Sequence, residues 1–144
     1  MTAAVLDTVL LVDDDKVTNL MHTRIIRRSA LARTVDVATD GVAALDYLQT
    51  RLAAGQGCPD LILLDINMPR MDGFEFLENY SALPEESRCS DTLIVMLSTS
   101  VLEADRARAE AHPDLHAFLN KPLTVDDMLR FAETSAEVRD ALHG

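Results

Sequence analysis

The sequence contains few cysteines, and no motif pairs them. Of its 144 residues only Cys58 and Cys89 are cysteines, and they lie far apart without a C-x-x-C spacing. We therefore expect two buried or idle thiols in a protein from a reducing compartment. The four histidines form no H-E-x-x-H motif and no close ligand pair: His22, His112, His116 and His143. A zinc site is not expected.

Long apolar runs and excess positive charge are also absent. No apolar stretch is long enough to span a bilayer, and no positively charged region precedes an apolar run at the N-terminus. We therefore expect a cytoplasmic protein. The formal net charge of -11 disfavours binding to nucleic acid and to anionic membranes, because both would repel such a surface.

The composition is that of an ordinary globular domain. Hydrophobic residues make up 48% and charged residues 26% of the chain. A length of 144 residues fits a single domain over residues 1–144 that can bury a core without disulfides or structural metals.

Short apolar runs alternate with amphipathic segments along the chain. Five strands are predicted, at residues 8–12, 34–38, 61–64, 92–97 and 116–119. Helices are predicted at residues 17–25, 41–52, 74–80 and 103–111, and after Thr124, which is expected to act as an N-cap with Asp127. Four residues at helical spacing are expected to form the apolar face of the first helix: Val17, Leu20, Met21 and Ile25. Three others are expected on one side of the last helix: Met128, Leu129 and Ala132.

This alternation predicts an α/β fold with a doubly wound, open parallel sheet of five strands and helices on both faces. In such sheets ligands bind beyond the carboxyl ends of the strands. Polar residues follow four of the predicted strands: Asp13-Asp14-Asp15, Asp65, Ser98-Thr99 and Lys121. We expect these residues to converge on one edge of the sheet.

The expected cluster suits phosphoryl chemistry with a hard cation. Unit charges about 4 Å apart repel by about 4 kcal/mol at an effective dielectric constant of about 20, so protons or a cation must relieve the carboxylates. Oxygen ligands favour Mg²⁺ over zinc, and Asp13 and Asp14 are the natural metal-binding pair. Asp65 is the best candidate nucleophile for an acyl phosphate. Lys121 can supply a second cation and Ser98 a hydroxyl donor.

The order of these residues resembles a known family over nearly the whole chain. The matching segments are Asp13-Asp14, Leu63-Leu64-Asp65-Ile66-Asn67-Met68-Pro69, Met71-Asp72-Gly73, Ser98, Phe118 and Lys121-Pro122. Together they resemble the receiver domain of response regulators in two-component systems. Each motif is weak alone, but the full set in order at predicted strand ends is specific.

The resemblance implies a flavodoxin-like strand order of 2-1-3-4-5 and phosphorylation of Asp65. It also implies that Asp14, Asp65 and the main-chain carbonyl of Asn67 bind Mg²⁺, with Asp13 acting through water. A cis peptide bond is implied before Pro122. The chain is then a phosphoacceptor that catalyses only its own phosphorylation and dephosphorylation.

The resemblance further implies a switch. The phosphoryl group on Asp65 would draw in Ser98, and Phe118 would turn inward behind it. The residues alone leave open whether Ser98 or Thr99 is the switch hydroxyl. Phenylalanine at position 118, where the family often has tyrosine, provides no hydroxyl to report its position.

The implied partners are proteins. The phosphoryl donor would be a sensor histidine kinase or a histidine phosphotransfer protein. The sequence ends soon after the last helix, so we expect no DNA-binding output domain, a downstream protein target, and a monomer or weak homodimer. The loops at residues 53–57 and 81–90 resemble those of single-domain receivers paired with bacterial phytochrome-type kinases.

A phosphatase is the alternative hypothesis. Asp13-x-Asp15 after an apolar strand also resembles the haloacid-dehalogenase-type phosphatases, in which Asp13 would be the nucleophile and Asp15 the acid–base. Ser98 or Thr99 and Lys121 would assist. This hypothesis leaves Asp65 and its following turn without a role.

Overall fold

The fold is an alternation of strands and helices. A computed structural model describes residues 5–89, 91–99 and 103–143. The elements are β1 (Leu6–Val12), α1 (Lys16–Ser29), β2 (Ala32–Ala38), α2 (Gly41–Ala53), β3 (Leu61–Asp65), α3 (Gly73–Ser81), a short 3₁₀ helix (Glu85–Ser87), β4 (Leu93–Ser98), α4 (Glu103–Glu110), β5 (Ala117–Asn120) and α5 (Val125–His143). Every predicted strand and helix is present, with bounds that differ by a few residues. None of the described helices is long and apolar enough to cross a bilayer.

The five strands form one parallel sheet in the order β2-β1-β3-β4-β5, which confirms the predicted flavodoxin-like fold. The register pairs Val12 with Leu64, Asp65 with Leu97, and Ser98 with Asn120. The carboxyl ends of β1, β3, β4 and β5 therefore lie along one edge, where the loops that follow them meet.

The core lies in two layers, one on each face of the sheet. Alternate residues of each central strand enter opposite layers, so Leu10 and Ile62 pack towards α2 and α3, while Val9 and Leu61 pack with residues of α1 and α5. Burial on both faces explains why the central strands are almost continuously apolar in sequence.

The predicted cap of the last helix is confirmed. Thr124 Oγ1 accepts a hydrogen bond of 3.1 Å from the Asp127 N–H, and Asp127 Oδ2 accepts one of 3.0 Å from the Thr124 N–H. The two residues thus satisfy each other's backbone donors and fix where the chain leaves β5 and enters α5.

The predicted apolar face of the first helix is wrong. Three of its four members are exposed to solvent, with exposed fractions of 64%, 53% and 47% for Val17, Leu20 and Met21. The buried residues of α1 are instead Asn19, His22 and Ile26. Two polar side chains take inward positions because they form hydrogen bonds with backbone groups of neighbouring loops. In α5 the same expectation fails for Leu129, which is 44% exposed, and holds for Met128 and Ala132, which are buried.

The expectation of two idle thiols is also wrong. Cys58 and Cys89 form a disulfide with a Cα–Cα distance of 5.9 Å, although 31 residues separate them in sequence. Cys58 precedes β3 and Cys89 precedes β4, and these strands are parallel neighbours. The amino ends of such strands meet at one edge of the sheet, so the distance in sequence says nothing about the distance in space. The disulfide lies at the edge opposite the carboxyl ends.

We expect this disulfide to stabilise the fold by closing a loop in the unfolded chain. Replacing both Cys58 and Cys89 by serine should lower the free energy of unfolding of the oxidised protein by about 2–4 kcal/mol. Urea denaturation measures the difference, and wild-type protein in dithiothreitol is the matched comparison. Identical urea midpoints for oxidised and reduced wild type would contradict the expectation.

Candidate functional site

Side chains from three separate strand ends meet at the carboxyl edge of the sheet. Asp13 and Asp14 directly follow β1, Asp65 ends β3, and Lys121 follows β5. One carboxylate oxygen from each of the three aspartates lies within 4.8 Å of the others. The Lys121 Nζ lies 2.6 Å from Asp13 Oδ2 and 3.1 Å from Asp65 Oδ1. The structure thus brings together the acids and the lysine that the sequence placed on a common edge.

The cluster formed by the three aspartates and Lys121 is mostly shielded from solvent, and Asp14 is its one exposed member. The side chains of Asp13, Asp65 and Lys121 are 7%, 12% and 12% exposed, whereas Asp14 is exposed. Burial weakens solvent screening, so the ammonium group interacts more strongly with both carboxylates than it would at an open surface. Asp14 is thus the most solvent-exposed residue of the cluster.

The surroundings of Asp65 disfavour its ionised form. Burial raises the pKa of the Asp65 carboxyl, and the charge of Asp13 raises it further. The charge and hydrogen bond of Lys121 oppose this rise without cancelling it. Asp65 therefore needs more positive charge than Lys121 alone supplies.

The same contacts hold the proton on Lys121. Burial of the ammonium acts to lower the pKa of Lys121, but its hydrogen bond with Asp13 and the charge of Asp65 outweigh that effect and raise it. The ammonium form of Lys121 is therefore favoured at the site.

Asp15, the third acid of the Asp13-Asp14-Asp15 run, caps helix α1. Asp15 is the N-cap of α1, where its Oδ2 accepts hydrogen bonds from the Thr18 N–H at 3.3 Å and the Thr18 hydroxyl at 2.5 Å. The Asp15 N–H in turn donates to Asp13 Oδ1 at 2.9 Å. Asp15 therefore orients the loop and is not a member of the acidic cluster, which argues against its acid–base role in the phosphatase hypothesis.

The loop after Asp65 approaches the sheet closely at Gly73. A Cβ atom at Gly73 would lie 2.4 Å from the main-chain oxygen of Asp65, so a larger residue cannot occupy this position without displacing the loop. The Gly73 N–H also donates to the Ile66 carbonyl at 2.8 Å. Asn67 lies between these residues in sequence and is exposed.

The hydroxyl and aromatic candidates lie on β4 and β5. Ser98 is buried at the end of β4, whereas Thr99 is exposed. The Ser98 carbonyl accepts a hydrogen bond of 2.8 Å from the Lys121 N–H, which ties the two strand ends together. Phe118 is buried in the core, and the Arg106 guanidinium lies 5.1 Å from the centre of its ring. The peptide bond between Lys121 and Pro122 is cis, as predicted.

Comparison with known proteins agrees with this arrangement. The model of the family described as the response regulator receiver domain matches residues 9–133. The chain belongs to the response regulator receiver family. Its members act in two-component signal transduction, and the acidic cluster is consistent with a receiver phosphorylation site.

The alignments with similar proteins extend over most of this receiver. Response regulator Rcp1 of Synechocystis sp. (strain ATCC 27184 / PCC 6803 / Kazusa) is 30% identical over 127 residues, which are 87% of this chain and 83% of Rcp1. A crystal structure of the Mn²⁺-bound form of Rcp1 has a TM-score of 0.68 at 26% identity and covers 89% of this chain and 90% of that one.

Two further structures are similar over nearly their full lengths. A two-component response regulator from Cytophaga hutchinsonii has a TM-score of 0.85 at 31% identity, covering 92% of this receiver and 98% of that chain. The bacteriophytochrome response regulator AtBRR has a TM-score of 0.74 at 30% identity, with coverages of 92% and 94%. The relatives thus include phytochrome-associated receivers, as the loop lengths suggested.

Two residues near the site were not predicted from the sequence. Asn19 donates from Nδ2 to the Asp13 carbonyl at 2.8 Å, and His22 Nε2 accepts from the Leu123 N–H at 3.4 Å. A signal was present, because the two polar residues are three apart and share one face of α1. The opposite face of the helix is more apolar in sequence, so hydrophobic patterning alone predicts the wrong buried face.

The raised pKa of Asp65 predicts a pH-dependent stability. The folded receiver binds the Asp65 proton more readily than the unfolded chain does, so this stabilisation is full at low pH and lost as pH rises through the raised pKa. In metal-free buffer at neutral pH, Asp65→Asn should therefore increase the urea midpoint of the receiver. The increase should vanish at a pH below the usual pKa of aspartate.

Asp46→Asn, at an exposed position of α2, is the matched control and should show no comparable gain. A lower midpoint for Asp65→Asn than for wild type in metal-free neutral buffer would contradict the electrostatic description of the site.

Proposed function

We propose that this receiver accepts a phosphoryl group on Asp65 from a phosphohistidine of a sensor histidine kinase or a histidine phosphotransfer protein. The observation that carries the proposal is the position of Lys121 Nζ, 3.1 Å from Asp65 Oδ1 within a cluster of three carboxylates. Asp65 thus lies beside a cation and two further carboxylates, and phosphoryl transfer depends on such positioning and on charge neutralisation.

The donor atoms of the site fit Mg²⁺. Three carboxylates supply only hard oxygens, and the high pKa of Asp65 indicates a need for further positive charge. Asp14, Asp65 and the main-chain carbonyl of Asn67 would hold the ion, with Asp13 acting through water. Rcp1, a relative of this chain, has been crystallised with Mn²⁺. The ion would neutralise charge on the transferring phosphoryl group.

Asp65 and Lys121 would carry out the transfer of the phosphoryl group from the donor histidine. An Asp65 carboxylate oxygen forms the new bond to phosphorus while the phosphorus–nitrogen bond of the phosphohistidine breaks. The bonding electron pair returns to the imidazole of the donor, which then takes up a proton. Lys121 stabilises the negative charge on the phosphoryl oxygens and needs no proton transfer, because its pKa is raised.

The proposed switch couples Asp65 to the face formed by α4, β5 and α5. Ser98 is the better candidate for the switch hydroxyl because it is buried beside Lys121, whereas Thr99 faces solvent. Phe118 already lies inward in this structure. Phosphorylation would then raise the population of this buried arrangement, with the hydrogen bond of Ser98 to the phosphoryl group as its differential contact.

The phosphodonor protein would dock beside α1. A groove of about 520 Å³ lies between α1 and the start of α5, lined by Met21, Ile25, Leu123 and Val125 among others. Both walls continue into the loops that carry the site, because α1 follows Asp15 and Leu123 follows Lys121-Pro122. The groove therefore lies next to the loops that carry Asp13 and Lys121.

Chemical phosphorylation tests the proposal directly. Incubation with a small phosphodonor and Mg²⁺ should add one phosphoryl group per chain, and Asp65→Asn should abolish the addition. Intact-protein mass spectrometry counts the groups, and borohydride trapping followed by peptide mapping locates them. A label at Asp13, or continued turnover of a phosphate ester by Asp65→Asn, would favour the phosphatase hypothesis instead.

Two neighbouring hydroxyls provide a matched pair for the switch residue. Ser98→Ala should slow the phosphorylation of Asp65 by about tenfold, since a hydrogen bond to a charged group is lost. Thr99→Ala should leave the rate close to that of wild type. The reverse ranking would assign the role to Thr99.

A further inference from the structure

The inner face of α1 carries two buried polar side chains that reach different loops of the site. Asn19 is 7% exposed and His22 is 3% exposed, and they lie three residues apart on the same side of the helix. Buried polar groups in this position cost stability unless hydrogen bonds compensate them. Each of these residues has such a bond, and neither bond is within α1.

Asn19 holds the loop that carries the acidic pair. Its Nδ2 donates to the Asp13 carbonyl at 2.8 Å, while its Oδ1 is buried without a hydrogen-bond partner among the described residues. The Asp13 N–H donates to the Ala38 carbonyl at 3.1 Å. The main chain of Asp13 is thus fixed on one side by β2 and on the other by α1.

His22 holds the loop that carries the lysine. Its Nε2 accepts from the N–H of Leu123, a buried residue two positions after Lys121. Accepting this bond requires a free lone pair on Nε2, and therefore a neutral ring. Burial lowers the pKa of His22 and the charge of Lys121 lowers it further, against an opposite effect of Asp13.

The sheet alone connects these two loops poorly. Asp13 follows β1 and Lys121 follows β5, and two other strands, β3 and β4, lie between them. The 2.6 Å ion pair between Lys121 Nζ and Asp13 Oδ2 therefore joins residues whose strands are not neighbours in the sheet. Helix α1 touches both loops directly and so bypasses the intervening strands.

We propose that Asn19 and His22 are positioning residues that set the placement of Asp13 and Lys121 relative to each other, with α1 as a rigid spacer. Asn19 would act on the metal-binding side of the site, and His22 on the cation that stabilises the phosphoryl group. The proposal rests on the proposed function, because it assigns these two residues to the same phosphorylation site.

A purely structural role gives a different expectation. If the two side chains only satisfy buried hydrogen bonds, their replacement lowers thermal stability and leaves metal affinity and phosphorylation rate unchanged in the folded protein. If they position the site, the two replacements affect different steps of the reaction, since they hold different loops.

The first comparison uses two asparagines with the same kind of bond. Asn19→Ala should weaken Mg²⁺ binding by about three- to tenfold, because a hydrogen bond that fixes Asp13 is lost. Phosphorylation of Asp65 at saturating Mg²⁺ should stay within about twofold of wild type. Asn79→Ala is the control, since Asn79 Nδ2 also donates to a main-chain carbonyl at 2.8 Å, that of Glu75 on α3. Calorimetric titration with Mg²⁺ gives the affinities.

The second comparison uses two amides of different length at position 22. In His22→Gln the side-chain oxygen can reach the Leu123 N–H much as Nε2 does, whereas in His22→Asn it is one methylene too short. At saturating Mg²⁺ and phosphodonor, the glutamine variant should phosphorylate at close to the wild-type rate. The asparagine variant should be about three- to tenfold slower, with unchanged Mg²⁺ affinity.

The outcomes separate this proposal from the function on which it rests. If the wild type is not labelled at Asp65, the proposed function fails and the positioning roles fail with it. If the wild type is labelled but Asn19→Ala and His22→Asn bind Mg²⁺ and react as it does, the positioning roles alone are overturned. Equal losses of phosphorylation rate in His22→Gln and His22→Asn would also overturn the role of His22.

Should Asn19→Ala not fold, Asn19→Ser replaces it, because serine is too short to reach the Asp13 carbonyl.

Discussion

The attraction between Lys121 and two buried aspartates is the interaction on which the site depends. Asp13 and Asp65 lie close enough to repel, and burial raises the pKa of Asp65. The Lys121 ammonium lies within 3.1 Å of both carboxylates and offsets part of that repulsion. The compensation is incomplete. In the proposed function the remaining negative charge would attract a divalent cation, and that cation would neutralise charge on the phosphoryl group.

The parallel sheet makes this arrangement possible. Each βα unit returns the chain to the same edge, so residues separated by more than a hundred positions, such as Asp13 and Lys121, become neighbours. The opposite edge shows the same effect, because Cys58 and Cys89 meet there in a disulfide. The acidic cluster and the disulfide thus lie at opposite ends of the strands, and α1 contacts the loops that follow β1 and β5 at the carboxyl end.

The fold and the meeting of Asp13, Asp14, Asp65 and Lys121 at one edge of the sheet were predictable, because both depend on patterns that are local in sequence. Apolar runs mark strands buried on both faces. Asp65 follows such a run directly, and Lys121 follows one after Asn120. The failures concern contacts between distant segments. The buried face of α1 could not be assigned from hydrophobicity, because Asn19 and His22 are buried by hydrogen bonds to loops that the helix pattern does not reveal. The disulfide is likewise invisible in local patterns, because Cys58 and Cys89 become neighbours only through the pairing of β3 with β4.

A Mg²⁺ titration of the uniformly ¹⁵N-labelled receiver followed by NMR tests most directly whether the three loops form one charged site. We expect the backbone amides of the loops after β1, β3 and β5 to shift together and to fit one dissociation constant. Shifts confined to the loop after β1, or separate dissociation constants for the loops carrying Asp65 and Lys121, would contradict this expectation.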